Sequence, residues 1–326
     1  MRVRSLIAAD GARIGAVDLA YRGLDVGERV RPLARALAPS LLADAVAEYF
    51  FTGTPQEWWG ADDFPNVAPP WQDFWVEWRI PRFSNNEGRL VPMLQATQPI
   101  AVHVQATEMG AELAAILPAF AGSPDPAARA VLEKARWGLK LTVFVEVRGV
   151  AWLVSEVTNF VGPDGALLSE EGESGPLTVF PSSGKDGREP IYPDPVGGWC
   201  STLGPLYLAL SFVHCRNVSV RAQEGERPAR RKGPASRRAA PRYSEYVLDI
   251  RPMQRVLREE GDSETVGLQK ALHICRGHFA RYGPGFDAGR LFGRLEGTFW
   301  VPQHLRGALS AGAVKKDYRP RPRRKP

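Results

Sequence analysis

Three of the five histidines, His273, His278 and His304, fall within one stretch of 32 residues. Arg276, Arg281 and Arg306 are interleaved with them. Imidazoles ionise near neutral pH, so two of them can divide the work of base and acid. Arginine holds a phosphodiester through bidentate hydrogen bonds and steadies the charge that develops on it. His278 and His304 are therefore the candidate catalytic pair, with Arg276, Arg281 and Arg306 as phosphate-binding residues. That equipment suffices for metal-independent RNA cleavage with the ribose hydroxyl as nucleophile, or for a related phosphotransfer. The same groups could hold phosphate passively. Histidines at strand ends also serve as hydrogen-bonded structural groups.

These residues need a strand to aim them. Residues 272–279 read as one strand, in which 274, 276 and 278 share a face and 273 and 275 share the other. Arg276 and His278 then project together while His273 and Cys275 point away, which argues against a metal site using His273, Cys275 and His278. No metal and no cofactor are expected. The three cysteines, Cys200, Cys215 and Cys275, contain no CxxC pair, and neither a GxGxxG nor a GxxxxGK[ST] loop occurs. Cys215, beside His214 at the end of an apolar helix, reads as packing rather than as a nucleophile. Glu77 lies between Trp75 and Trp78, and its alternating neighbours place it on the solvent side of its strand.

The net charge is +6, but it is not spread evenly. Residues 216–242 carry nine Lys or Arg against two Glu, and residues 315–326 carry seven against one Asp. These segments hold +7 and +6, so the rest of the chain is near −7. Both are rich in Pro, Gly and Ala and too poor in large apolar residues to bury a core. Such arms bind polyanions by counterion release, without reading sequence; the other readings are a solvated spacer and a contact for an acidic protein. The cations expected to make this contact are Arg230, Arg231, Lys232, Arg237, Arg238, Arg323 and Arg324. No aromatic residues are interleaved in the runs, so stacking on single strands is not implied.

The remaining pattern predicts an α+β fold with mostly antiparallel sheet. Residues 27–51 have helical spacing that Pro39 should divide. The alternation in 74–80, the SNNEG turn at 84–88, and the runs 89–94 and 100–105 predict strands and a hairpin. A helix is predicted over 125–137, then a strong β pair at 139–147 and 152–160, and a short strand at 177–180. Residues 203–215 are apolar on nearly every side and predict a buried helix. Beyond it come a strand at 245–250, a helix at 252–260, and short strands at 272–279, 298–301 and 314–318. The expected organisation is an α+β body (1–215), a basic linker or loop (216–242), a β-rich block packed on the body (243–319) and a basic disordered tail (320–326). No apolar run is long enough for a secretion signal or a bilayer span, which predicts a soluble cytoplasmic protein with no membrane partner.

The C-terminal motifs His273-Arg276-Gly277-His278-Phe279-Tyr282, Leu291-Phe292-Gly293, Gly297-Thr298-Trp300, His304-Arg306-Gly307 and Lys316-Asp317-Tyr318 carry a likeness. Their order resembles a recurring group of phage-, prophage- and plasmid-encoded proteins of unassigned function. The likeness covers the last hundred residues or so, and the basic stretch leading to Tyr243 is also similar. It implies a mobile-element origin and a place in the host cytoplasm, with virion association as an alternative, and it supplies no activity or catalytic residue. The leading expectation is a nucleic-acid-associated protein with a His/Arg phosphate-binding block. The alternatives are a two-histidine ribonuclease or phosphotransferase, and a structural or host-interaction protein without catalysis. Oligomeric state is not readable from these features.

Overall fold

The computed structural model describes residues 2–17, 25–53, 60–86, 89–109, 132–169, 176, 178–179, 198–223, 243–250, 271–275, 277–283, 296–301, 304–306 and 308–313. The fold is α+β. One unit comprises Met1–His214 and Val218–Asp249, and a second comprises Cys215–Asn217 and Ile250–Pro326.

The first unit is built on a nine-stranded mixed sheet. Its strands are β1 (Ile14–Ala16), β2 (Ser40–Leu42), β3 (Asp73–Asn86), β4 (Arg89–Glu108), β5 (Trp137–Val147), β6 (Val150–Val161), β7 (Thr178–Val179), β8 (Val218–Gln223) and β9 (Glu245–Ile250). The order across the sheet is β1-β6-β5-β4-β3-β2-β9-β8, with β7 also on β6. The long central run β3 to β6 is an antiparallel meander, as its alternating pattern predicts. The β5–β6 turn contains Arg148 and Gly149, both at positive φ. A two-residue turn of this hand matches the twist of the strands it joins. Parallel pairings attach β1 to β6 and place β2 between β3 and β9.

Helices cover both faces. On one lie α1 (Val3–Ala8) and α2 (Val26–Arg35). Their apolar residues Val3, Leu6, Ile7, Val26, Val30 and Ala34 form a core with Trp75, Ala101, Phe144 and Leu153 of the sheet. Asp25 caps α2 by accepting from the Glu28 backbone N–H. On the other side α3 (Asp44–Gly53) meets α4 (Gly198–Val213). Gly204 of α4 sits so near the Phe50 ring that a Cβ there would come within 2.2 Å of it, so this crossing requires glycine. Leu206, Tyr207, Leu208, Ala209, Leu210 and Phe212 are all buried, in agreement with the predicted buried helix. Tyr207 donates to Asn159 of β6 at 2.6 Å, which fixes α4 to the sheet. Among the described residues no helix is long and apolar enough to cross a membrane.

Two sequence expectations change here. Pro39 does divide the 27–51 stretch, but the piece after it is first a strand, β2, and only then a helix. The segment 216–242 does not mark a boundary between a body and a C-terminal block. Both β8 and β9 belong to the large sheet, so residues 224–242 connect two neighbouring strands of the first unit. The expected helix 252–260, the strand 314–318 and most of the helix 125–137 lie outside the described residues.

In the second unit, β10 (Ala271–Cys275), β13 (His304–Arg306) and β14 (Ala308–Ala313) form a three-stranded sheet, and β11 (His278–Tyr282) pairs with β12 (Gly297–Val301). Residues 215–217 run along β12. The Arg216 N–H donates to the Thr298 carbonyl, and the Asn217 side chain bonds both the N–H and the carbonyl of Trp300.

Candidate functional site

The polar groups that the first unit buries are concentrated on the sheet face beneath α1 and α2. Two registered rows cross that face. Trp75, His103, Thr142 and Glu156 are direct cross-strand neighbours in one, and Glu77, Ala101, Phe144 and Leu153 in the other. The second row is apolar apart from Glu77, which is 1% exposed. This corrects the expected solvent-facing position of Glu77. Alternation identifies two faces, and here helices cover both.

Glu77 sits at the start of α1. One carboxylate oxygen accepts from the Arg4 backbone N–H at 3.2 Å, one of the first-turn donors with no partner inside its own helix. The other, Oε1, has no hydrogen-bond partner. Burial pushes the Glu77 carboxyl up to about 7, against the pull of that bond and of Arg2 and Arg4.

The Arg4 side chain is fully buried, and its guanidinium directs its hydrogen bonds to the end of α2. Its Nε donates to the Ala34 carbonyl at 3.0 Å, Nη1 to Ala38 at 2.7 Å and to Ser40 Oγ at 2.9 Å, and Nη2 to Ala36 at 2.6 Å. These carbonyls are at and just beyond the end of α2, where they lack helical donors. Pro39 has no N–H to offer them, and the Ser40 N–H is used on Ser244. A guanidinium is the one side chain with enough donors, and its charge complements the negative end of α2. The Arg4 guanidinium lies 3.7 Å from the centre of the Tyr243 ring, and the Tyr243 and Ser5 hydroxyls are 2.6 Å apart. Burial lowers Arg4 to about 10, so it stays charged at neutral pH.

The other row holds a second polar group. His103, 0% exposed, bonds Asp73 through Nε2 at 2.6 Å, and the Asp73 side chain is 44% exposed. The His103 Nδ1 is buried without a partner. An Nε2–H tautomer satisfies this arrangement, because Asp73 can only accept and a bare Nδ1 needs no acceptor. Burial holds the imidazole below its usual value, opposed by Asp73. With no opening at Nδ1, the pair cannot serve as a base for an outside substrate in this conformation. Further along, Glu156 takes two bonds from Arg29 of α2, at 2.7 and 2.6 Å, and one from Thr142 at 3.2 Å.

A prediction follows from the lowered His103. The unfolded chain binds its proton more readily, so His103 contributes stability above about pH 6.5 that is lost as the pH falls. His103→Gln should flatten the acid side of the urea-midpoint profile. An imidazole titrating at 6.5 or higher in the folded protein would show the reading to be mistaken.

The residues singled out from sequence are distributed differently. Residues 272–279 do not form one strand: β10 ends at Cys275 and β11 begins at His278, in different sheets. His304 pairs in register with Cys275 and Arg306 with His273, while His278 pairs with Val301 and Arg281 with Thr298. Strand pairing therefore brings His304 and Arg306 to β10 and leaves His278 and Arg281 on β11. His278 and Arg281 are both exposed, and by parity they occupy opposite faces of that ribbon. Arg276 and the arm residues Arg230, Arg231, Lys232, Arg237, Arg238, Arg323 and Arg324 lie outside the described residues. Arg216 and Arg221, counted with the first arm, have folded partners: Arg216 donates to the Glu296 carbonyl and Arg221 pairs with Asp249 at 2.5 Å. Burial pushes the Cys215 thiol up to about 12, which leaves it protonated and unreactive. Among the described residues, no group of three or more His, Cys, Asp or Glu is placed to hold a metal ion.

Arg4 and His103 carried no signal in the sequence. Arg4 reads as one of two arginines flanking a short apolar run, and His103 as a polar residue in a strand. Only the topology, which brings residues 34–40, 73–77 and 243 to one place, makes them a cluster. No protein-family model, curated protein or solved structure matches the chain.

Proposed function

We propose that the protein binds nucleic acid without sequence readout, through the basic segments 224–242 and 315–326, as a mobile-element protein acting in the host cytoplasm. The observation that carries this reading is the tethering of the first segment. Its two ends continue from β8 and β9, neighbours in one sheet, so the chain that carries its seven cations is anchored at both ends in the first unit. A tethered basic segment loses less freedom on meeting a phosphate backbone than a free tail does. Arg216 and Arg221, with partners of their own, are not needed for the contact. His278 and Arg281, exposed on β11, are the phosphate ligands of the second unit in this reading.

The test is the salt dependence of binding to labelled RNA and duplex DNA by the full chain. A variant with Arg230, Arg231, Lys232, Arg237 and Arg238 all changed to Gln should bind more weakly on every sequence. Its log–log salt slope should fall by roughly 0.9 for each duplex phosphate contact removed, or about 4.5 if all five are engaged. An unchanged slope would sink the proposal. The same mixtures in chelator discriminate the enzyme reading. Intact RNA supports binding alone, whereas cleavage abolished by both His278→Ala and His304→Ala would replace it with a two-histidine nuclease.

A further inference from the structure

We propose that Glu77 is a proton-controlled latch that holds α1 to the sheet and, through Arg4, secures Tyr243, where the basic connection rejoins β9. The proposal concerns the fold around that junction and stands whether or not the connection binds a polyanion.

The geometry has three parts. The Glu77 carboxyl is fully buried with a single hydrogen bond, to the Arg4 N–H, and its second oxygen is unpartnered. A neutral carboxyl is comfortable there, but a carboxylate in such a place requires a counter-charge or more donors. Neither is at hand. The Arg4 guanidinium is committed to three carbonyls and the Ser40 hydroxyl, and Arg2 is paired with Asp44 of α3 at 2.8 Å. The remaining ionisable groups facing Glu77 are Glu245 of β9, which opposes its ionisation, and Tyr243, whose proton burial retains. Asp73, further along β3, acts on Arg4 and favours its charged form.

Water does not reach Glu77 in the closed arrangement. A shallow recess lined by Arg2, Val3, Trp78, Arg79 and Ile100 leads to Glu77, and it is too small to hold a water molecule as it stands. Ionised Glu77 can be hydrated only if the first turn of α1 moves away from β3. Arg4 sits in that turn, so the same movement withdraws the guanidinium from the Tyr243 ring and Ser5 from the Tyr243 hydroxyl. The first turn of α1 and the start of β9 then loosen together.

The sign is definite. Because the folded protein holds the Glu77 proton more tightly than the unfolded chain does, the latch is fully closed below about pH 4.5 and opens as the pH rises through about 7.

Amide hydrogen exchange on the full chain tests this, with wild type and Glu77→Gln compared at equal pH so that intrinsic exchange rates cancel. Gln keeps the acceptor for the Arg4 N–H and removes the charge. The two proteins should show equal protection at pH 4 in residues 3–8 and 243–246. At pH 8.5 the wild type should be about a hundredfold or more less protected there, as a carboxyl raised from 4.5 to about 7 requires. Equal protection at pH 8.5, or a loss spread evenly over β3 to β6, would overturn the proposal. The carboxyl resonance of Glu77 in the wild type supplies an independent readout if the variant does not fold. A midpoint near 7 supports the latch, and one at 5 or below refutes it.

Discussion

Replacing Arg4 by Met should unfold the first unit at a urea midpoint far below that of the wild type, with a cost of about 3–5 kcal/mol. Met reproduces the aliphatic stem of Arg4 and removes its head, so the loss reports the guanidinium's hydrogen bonds together with its stacking on Tyr243. Four acceptors lose their donor: the carbonyls of Ala34, Ala36 and Ala38 and the hydroxyl of Ser40. The Ala34 and Ser40 bonds are buried and the other two partly so. Leaving a buried acceptor unpaired costs about 1–3 kcal/mol, so the two buried ones alone account for a loss of this size. Arg4→Lys discriminates between charge and shape. Lysine keeps the charge near the end of α2, but one ammonium cannot span four acceptors arranged around a planar fork. It should recover less than half of the loss. Recovery of nearly all of it would mean that charge alone matters at this position.

The second large effect is expected from Asn217→Ala. The Asn217 carboxamide offers Trp300 what a neighbouring strand would: an acceptor for its N–H at 2.9 Å and a donor for its carbonyl at 2.7 Å. The side chain thus substitutes for an edge strand at the buried centre of β12, and the Arg216 backbone continues the pairing at Thr298. Removing it strands two buried backbone groups, at a cost of about 2–4 kcal/mol, and protection against exchange should fall most at 297–301. Asn217→Asp is the sharper probe. Its carboxylate can accept from the Trp300 N–H but faces the Trp300 carbonyl with no proton, so it should be at least as damaging as Ala at pH 7. If Asp matched the wild type, the carbonyl bond would carry no weight.

The strands of the central meander were legible because alternation over 74–80, 139–147 and 152–160 reports a pleated surface directly. Pro39 marked a break, and the apolar run at 203–215 marked a buried helix. Pattern failed where partners distant in sequence decide the outcome. Residues 40–42 form a strand because β3 and β9 flank them, and nothing local in Ser40-Leu41-Leu42 demands it. Glu77 looked solvent-facing because alternation cannot tell a sheet covered once from a sheet covered twice. The 272–279 run divides at Arg276-Gly277, between the end of β10 and the start of β11, because its two halves pair with different strands. The charge of the chain was legible as a distribution, while the tethering of residues 224–242 was not, because it depends on β8 and β9 being neighbours.

That adjacency of β2 and β9 also imposes an order on synthesis. The meander β3 to β6 pairs residues near one another in sequence, so it can form as it emerges. The β2–β9 register joins Ser40 to Glu245 and Leu42 to Val247, across more than two hundred residues. At roughly 5–20 residues per second, the far side of β2 waits on the order of 10–40 s for its partner. An open edge kept that long invites pairing with another nascent chain. Here the edge is only three residues long, and Pro39, which cannot donate, stands at its entrance. The brevity of β2 is thus a safeguard for the half-made protein as much as a feature of the finished one.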